Sequence, residues 1–329
     1  MTPDDLLRVN GLTVKFLGES GWLTAVEDVS FSVGKKECIG LVGESGSGKS
    51  VTALSVLNLH ERRTTKISGR IDYCGKNTLT LPANELRRLR GGEIAMIFQD
   101  PMSSLNPVLT VADQIIETLQ LHENISAAQA RRRAIELLEW VRIPDAARRV
   151  DEYPHRLSGG MRQRVMIAMA IACKPKLLIA DEPTTALDVT IQAEILNLLR
   201  DLQNELDMSV LLITHDLGVI AEFVQRVVVM YAGQVIEEAP VMRLFDQPMH
   251  PYSQGLINAI PPLHTDVRRL SSIPGQLPDP YEVHSGCRFA ARCSELVPTC
   301  LNSQPSLIEF SNGGSSRCPI RVELSGFNR

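Results

Sequence analysis

Apolar and polar positions alternate in short runs over residues 12–16, 25–33 and 67–73. A period of two puts successive side chains on opposite faces, so each run is predicted to be a half-buried strand. Together they make residues 9–75 a β-rich lobe. Residues 38–42 (Cys-Ile-Gly-Leu-Val) are apolar throughout, the pattern of a buried strand, and 51–57 carry a helical pattern. From about 110 to 172 the period becomes helical, with candidate helices at 111–122, 127–141 and 162–171, punctuated by Pro144 and Pro154. Apolar strands return at 177–180, 210–214 and 226–231. Strands alternating with helices predict an α/β fold around a largely parallel sheet. Beyond residue 245 the periodicity dissolves and proline becomes frequent (Pro248, Pro251, Pro261, Pro262, Pro274, Pro278, Pro280), which predicts an irregular extension.

Composition adds bounds. At 329 residues with 44% apolar content the chain is long enough for two domains with ordinary cores. A formal net charge of −4 provides no general field for nucleic acid, and the basic run 131–133 falls on a predicted helix, where a solvated face is expected. The N-terminus has neither a basic start nor an apolar run, so no signal peptide is read. The longest apolar run, 165–173, falls far short of the ~20 residues that span a bilayer, and the chain is expected to be soluble by itself.

Three segments carry chemistry. Gly43-Glu-Ser-Gly-Ser-Gly48-Lys49-Ser50 fits G-x-x-x-x-G-K-[ST], the phosphate-binding loop. Its glycines let backbone N–H groups turn inward around phosphates, Lys49 supplies a point charge, and the Ser50 hydroxyl is placed for Mg²⁺. Gly43, Ser45, Gly46, Gly48, Lys49, Ser50 and Val51 are the candidate nucleotide contacts, with the helix after them pointing its N-terminus at the phosphates. The apolar run 177–180 ends in Asp181 and Glu182. A carboxylate at such a strand end can hold Mg²⁺, which assigns Asp181 to the metal and leaves Glu182 to polarise a water. A solvated acidic turn is the plain alternative. Ser158, Gly159 and Gly160 sit ahead of the run 162–171, a second anion site at a helix N-terminus. Two such sites in one chain are best explained if the second serves a nucleotide held by another chain.

These residues resemble the ATP-binding cassette (ABC) ATPases over residues 9 to about 262. Leu157-Ser-Gly-Gly-Met161 is similar to that family's signature motif, which usually ends in Gln where this chain has Met161. Gln99, in Ile-Phe-Gln-Asp-Pro, matches the glutamine that senses Mg²⁺ and the γ-phosphate and links to the membrane partner. Ala186-Leu187-Asp188 matches the loop that crosses the dimer interface, and His215 the switch histidine on the γ-phosphate. Phe16 matches the aromatic that stacks on adenine, a role Trp22 could also fill. The resemblance implies an ABC-type P-loop NTPase: a β-rich lobe, a RecA-like parallel-sheet core and a helical signature subdomain over about 100–172, all within residues 1–262. ATP and Mg²⁺ are its implied ligands. The proline-braced segment 100–107, next to Gln99, is where the resemblance expects nucleotide state to reach a membrane subunit.

The remaining residues, 263–329, form the expected C-terminal extension. It carries Cys287, Cys293, Cys300 and Cys318, separated by gaps of five, six and seventeen residues. A reduced cytoplasm disfavours disulfides, and the spacing lacks a tight C-x₂-C, so metal and no metal both stay open. Residues 248–257 and the cysteine tail resemble the extension of the dipeptide/oligopeptide importer ATPases. That resemblance implies a [4Fe–4S] cluster on the four cysteines, with zinc and unliganded thiols as alternatives. It also implies an ATPase on the cytoplasmic face of a bacterial inner membrane. Its implied partners are a second, different ATPase chain, two transmembrane permease subunits and a periplasmic or extracellular peptide-binding protein, with no nucleic acid. The rival reading is a soluble ABC ATPase acting on DNA or ribosomes; an exporter is weaker still. Nickel, glutathione or antimicrobial-peptide uptake stay open as importer substrates.

Overall fold

The alternating runs near the N-terminus become long antiparallel strands in a computed structural model that describes residues 5–185, 187–260, 273–279, 285–310 and 313–324. Ala186, Pro261, Pro262, Pro280 and the expected boundary at 262/263 lie outside the described residues. The chain divides into two compact units: one of residues 1–33, 38–79 and 214–329, the other of 34–37 and 80–213.

In the first unit an antiparallel sheet has the order Gly21–Gly34, Asp5–Gly18, Thr65–Tyr73, Lys76–Asn77. Leu12 and Val14 are buried while Lys15 between them and Phe16 faces out, the half-buried alternation the pattern predicts. The apolar strand Cys38–Val42 is buried at every position and pairs in parallel with Arg226–Tyr231, from Ile39 opposite Arg226 to Val42 opposite Val229. Gln234–Pro240 continues this sheet antiparallel, and the short strands Ser315–Ser316 and Ile308–Glu309 of the extension add to its edge. Gln225 fastens the start of Cys38–Val42: its side-chain oxygen accepts from the Cys38 amide at 2.7 Å, and its own amide donates to the Cys38 carbonyl at 3.0 Å. A strand anchored at its entry delivers the following loop from a fixed end.

In the second unit the strands Ile94–Ile97, Leu177–Asp181 and Ser209–Thr214 pair in parallel. Helices Val111–His122 and Ala127–Trp140 start where predicted because each opens on a reciprocal cap, Thr110 with Asp113 and Ser126 with Gln129. Two arginines of the basic run form ion pairs, and Arg132 between them is exposed. Arg131 grips Asp151 through two bonds of 2.7 and 2.8 Å, and Arg133 binds Glu123 and the Ala172 carbonyl. No helix among the described residues is long and apolar enough to cross a membrane.

Candidate functional site

The glycine-rich loop runs from the buried strand Cys38–Val42 into the helix Lys49–Val56, as its motif requires. Gly43, Gly46 and Gly48 all have positive φ. At Gly43 the demand is also steric, since a Cβ there would stand 2.2 Å from the Met230 carbonyl oxygen. Lys49 is 5% exposed, and its ammonium donates to the Gly43 and Glu44 carbonyls at 2.7 and 2.9 Å. The Ser47 carbonyl accepts from the Gly233 amide at 2.9 Å, which ties the loop to the turn after Arg226–Tyr231. No side chain caps the helix at Gly48. A phosphate chain fits this frame: a backbone cradle too tight for any side chain at its first glycine, one buried ammonium, and an uncapped helix N-terminus. Ser45 is exposed, and Ser50 and Val51 are half-buried on the same turn.

Three further candidates belong to the first unit. Phe16 is half-buried and meets the His60 ring edge-on, 5.4 Å between centroids. His60 bonds Ser55 and the Val51 carbonyl, both at 3.0 Å, and burial lowers its pKa. Trp22 already carries the Lys66 ammonium 3.9 Å above its ring, which occupies one face. His215 follows strand Ser209–Thr214 and is exposed.

The second unit holds the carboxylates and the signature loop. Asp181 is the buried last residue of its strand. Glu182 has φ +47°, a left-handed conformation that a non-glycine side chain adopts only when its surroundings impose it. Its amide donates to the Ile213 carbonyl at 2.9 Å, while one carboxylate oxygen accepts from Gln99 Nε2 and Thr185 Oγ1, each at 2.9 Å. Gln99 and Glu182, 83 residues apart, are thus brought into direct contact. Ser158 is the N-cap of helix Gly159–Ile171 and accepts from the Met161 amide at 3.3 Å. Asp188 caps Val189–Leu206 in the same way, accepting from Ile191 at 2.9 Å. The two capped ends adjoin: a Cβ on Gly160 would lie 2.9 Å from the Ile191 side chain, and one on Gly159 3.7 Å from Leu187.

The expectation of a [4Fe–4S] cluster is corrected. Among the described residues no group of three or more His, Cys, Asp or Glu side chains is placed to hold a metal ion, which tells equally against zinc. Cys287, Cys293, Cys300 and Cys318 do line one cavity, but its volume is ≈ 20 Å³, room for about one water. Burial raises the Cys287 and Cys293 thiols and pushes Cys318 up to about 11. All four are free cysteines.

Three participants stand outside the set predicted from the sequence. Thr185 shares Glu182 with Gln99. Tyr252 and Arg292, both from beyond residue 245, bind Glu44 inside the phosphate loop. Thr185 lies three residues from Glu182 and was open to a local reading. Arg292 is 248 residues from Glu44 and gives no local signal.

Residues 26–185 match the ABC transporter family, and residues 236–300 match the C-terminal region of oligopeptide/dipeptide transporters. The oligopeptide transport ATP-binding protein AppD of Bacillus subtilis is 50% identical over 319 residues, covering 97% of each chain. The dipeptide transport ATP-binding protein DppD of Escherichia coli is 47% identical over 321 residues, covering 98% of each. Among solved structures, a dimer of the ATP-binding cassette MJ0796 bound to ADP and Pi superimposes with a TM-score of 0.64 at 29% identity, covering 71% of this chain and 98% of that one. CbiO1 of Clostridium perfringens, part of an ABC transporter complex, gives 0.62 at 27%, covering 74% of this chain and 92% of that one. With the phosphate loop, the carboxylate strand end and the signature loop in place, the chain belongs to the ABC transporter family, as an ATP-hydrolysing subunit of the peptide-importer branch.

Proposed function

We propose that this chain works on the cytoplasmic face of a bacterial inner membrane, paired head to tail with a second, different ATPase chain. Its ATP turnover drives two permease subunits that receive di- or oligopeptides from a binding protein. The observation that carries the catalytic part is the Gln99–Glu182–Thr185 cluster, in which a carboxylate in a strained conformation is oriented by two donors. AppD and DppD are named for peptide transport, and the MJ0796 cassette is dimeric, which supports the peptide substrate and the paired arrangement.

Each residue then has a task. Gly43, Ser45, Gly46, Gly48, Lys49 and Val51 receive the triphosphate, and Phe16 takes the adenine. Ser50, Asp181 and Gln99 serve Mg²⁺, which neutralises charge on the phosphates when bound. Glu182 accepts a proton from the attacking water and is held in orientation by Gln99 and Thr185. His215 reads the γ-phosphate. Ser158, Gly159 and Gly160 complete the partner chain's site, with Asp188 fixing the loop that packs against them.

The test is the importer assembled with its partner ATPase, permeases and binding protein in vesicles. Wild type accumulates labelled dipeptide only with ATP. Glu182→Gln keeps ATP affinity within about twofold and lowers turnover by a factor on the order of 100 or more. Near-normal hydrolysis would remove Glu182 from its role. Accumulation of nickel or glutathione in place of peptide would overturn the substrate.

A further inference from the structure

The C-terminal extension reaches the phosphate loop, and its polar contacts among the described residues centre on Glu44. Glu44, the first residue after Gly43, is held at every polar group described for it. Its amide donates to the Tyr252 hydroxyl at 2.9 Å. Its carbonyl accepts from Lys49 Nζ at 2.9 Å. Its carboxylate takes a two-pronged bond from the Arg292 guanidinium, 2.8 Å to one oxygen and 3.0 Å to the other.

Arg292 is itself fixed. Its side chain is 5% exposed, and it donates to the Pro274 carbonyl at 2.8 Å and the Ile273 carbonyl at 3.3 Å. Its guanidinium lies 5.7 Å from the centroid of Tyr231, which packs against Tyr252 and Phe289. The hydrogen bonds to Glu44 hold Arg292 charged more firmly still. Gly46, two residues on, faces the extension too, since a Cβ there would stand 3.5 Å from Leu277. All of these residues belong to the first compact unit.

A carboxylate inside a loop that must receive a triphosphate is an electrostatic liability. Like charges repel more strongly where water is partly excluded. The planar fork of an arginine is the side chain that can cancel that charge and fix its direction at once. We propose that Arg292 is a positioning residue for ATP binding: the extension lends its guanidinium to neutralise Glu44 and to hold the first turn of the phosphate loop in its receptive shape. The extension thereby becomes part of the nucleotide site without touching the nucleotide. This rests on the reading that the loop around Lys49 binds ATP.

The experiment measures Mg-ATP affinity on the full chain, KM and kcat in the assembled importer, and the thermal midpoint of every variant. Lys49→Ala tests the loop itself. Arg292→Ala is expected to raise Kd and KM about tenfold, the scale of one lost charge-assisted pair, with kcat within about twofold. Arg292→Lys, which keeps the charge and loses the fork, falls between. The decisive variant is Glu44→Gln combined with Arg292→Ala. With the carboxylate gone there is nothing left to neutralise, so affinity returns to within about threefold of wild type. A purely structural role for Arg292 predicts no such return.

If Lys49→Ala abolishes binding and Arg292→Ala leaves Kd unchanged, the proposal falls while the loop assignment stands. If Lys49→Ala leaves Kd unchanged, the loop assignment falls first. An Arg292→Ala defect that Glu44→Gln does not relieve, tracking the loss in thermal midpoint, also overturns the proposal. Should Arg292→Ala fail to fold, Arg292→Lys with and without Glu44→Gln carries the same comparison.

Discussion

The phosphate loop and the signature loop are written in the same residues, glycine and serine ahead of a helix, yet their glycines are there for different reasons. In the phosphate loop Gly43, Gly46 and Gly48 have backbone angles that disfavour any side chain, and Gly43 abuts the Met230 carbonyl. In the signature loop neither Gly159 nor Gly160 has positive φ, and both begin an ordinary helix. What they spare is space against Leu187 and Ile191, side chains of the next loop and helix. The first loop is shaped by its own backbone and the second by its neighbour. A glycine in a motif therefore has two possible physical meanings, and the sequence prints the same letter for both.

Substitution separates the two meanings. Gly43→Ala drives a Cβ into a backbone oxygen at 2.2 Å, from which neither partner can retreat cheaply, in a backbone region that itself disfavours alanine. Strain on the order of 3 kcal/mol is expected, lowering Mg-ATP affinity about 100-fold and the thermal midpoint with it. Titration of the full chain with Mg-ATP reads the first and a melting curve the second. Wild-type affinity in Gly43→Ala would mean that the loop relaxes freely, and the contrast with the signature loop would vanish.

Gly160→Ala brings a Cβ to 2.9 Å from Ile191 Cγ2, so that side chain must shift, but the contact is with a side chain rather than backbone and alanine is the better helix former by roughly 1 kcal/mol. Folding and the chain's own ATP affinity should survive, the latter within about twofold. Turnover in the assembled importer should fall roughly tenfold, because the added methyl pushes the signature helix away from Ile191 in the helix that Asp188 caps. A loss of affinity in the isolated full chain would instead place this loop at the chain's own nucleotide, and the division of labour would be wrong.

Much of this site was legible because its cues are local. The phosphate loop announces itself in eight consecutive residues, and the strand before it is an unbroken apolar run. Helices Val111–His122 and Ala127–Trp140 carry their own caps, so periodicity and boundary agree. Met161, which departs from the family's usual Gln, takes part in the cap through its backbone amide, so the departure leaves that bond intact. The extension was the hard part. Its two-residue strands at Ile308–Glu309 and Ser315–Ser316 are too short for any period to show. Its cysteines converge, as a shared role would suggest, but the volume between them is a property of packing and has no expression in their spacing. Arg292 is the same case in reverse. A single arginine in an irregular tail is unremarkable until a fold places it against Glu44.

What lies under each loop also differs, and pH can expose it. The signature glycines rest on apolar Leu187 and Ile191. The phosphate loop rests against strand Arg226–Tyr231, whose partner Gln234–Pro240 buries Glu237 completely. Glu237 accepts from the Met249 amide at 2.7 Å, and burial raises its pKa from 4.5 to about 7. The folded chain therefore keeps this proton up to about pH 7 while the unfolded chain sheds it near 4.5. The stability so gained is full below 4.5 and is lost as pH rises through 7. His250, which burial lowers to about 3, works in the opposite direction: its contribution is present above 6.5 and falls as pH drops. The two slopes oppose each other between 4.5 and 6.5, so the wild-type profile alone would hide Glu237. Glu237→Gln uncovers it. The variant should match wild type closely at pH 5 and exceed it at pH 8 by about 3 kcal/mol, the scale set by a shift of this size. The corresponding difference for Gly160→Ala should stay flat over the same range. Thermal midpoints of the three proteins at pH 5, 6, 7 and 8 make the measurement, and a Glu237→Gln difference that does not grow with pH would show that both loops rest on equally inert ground.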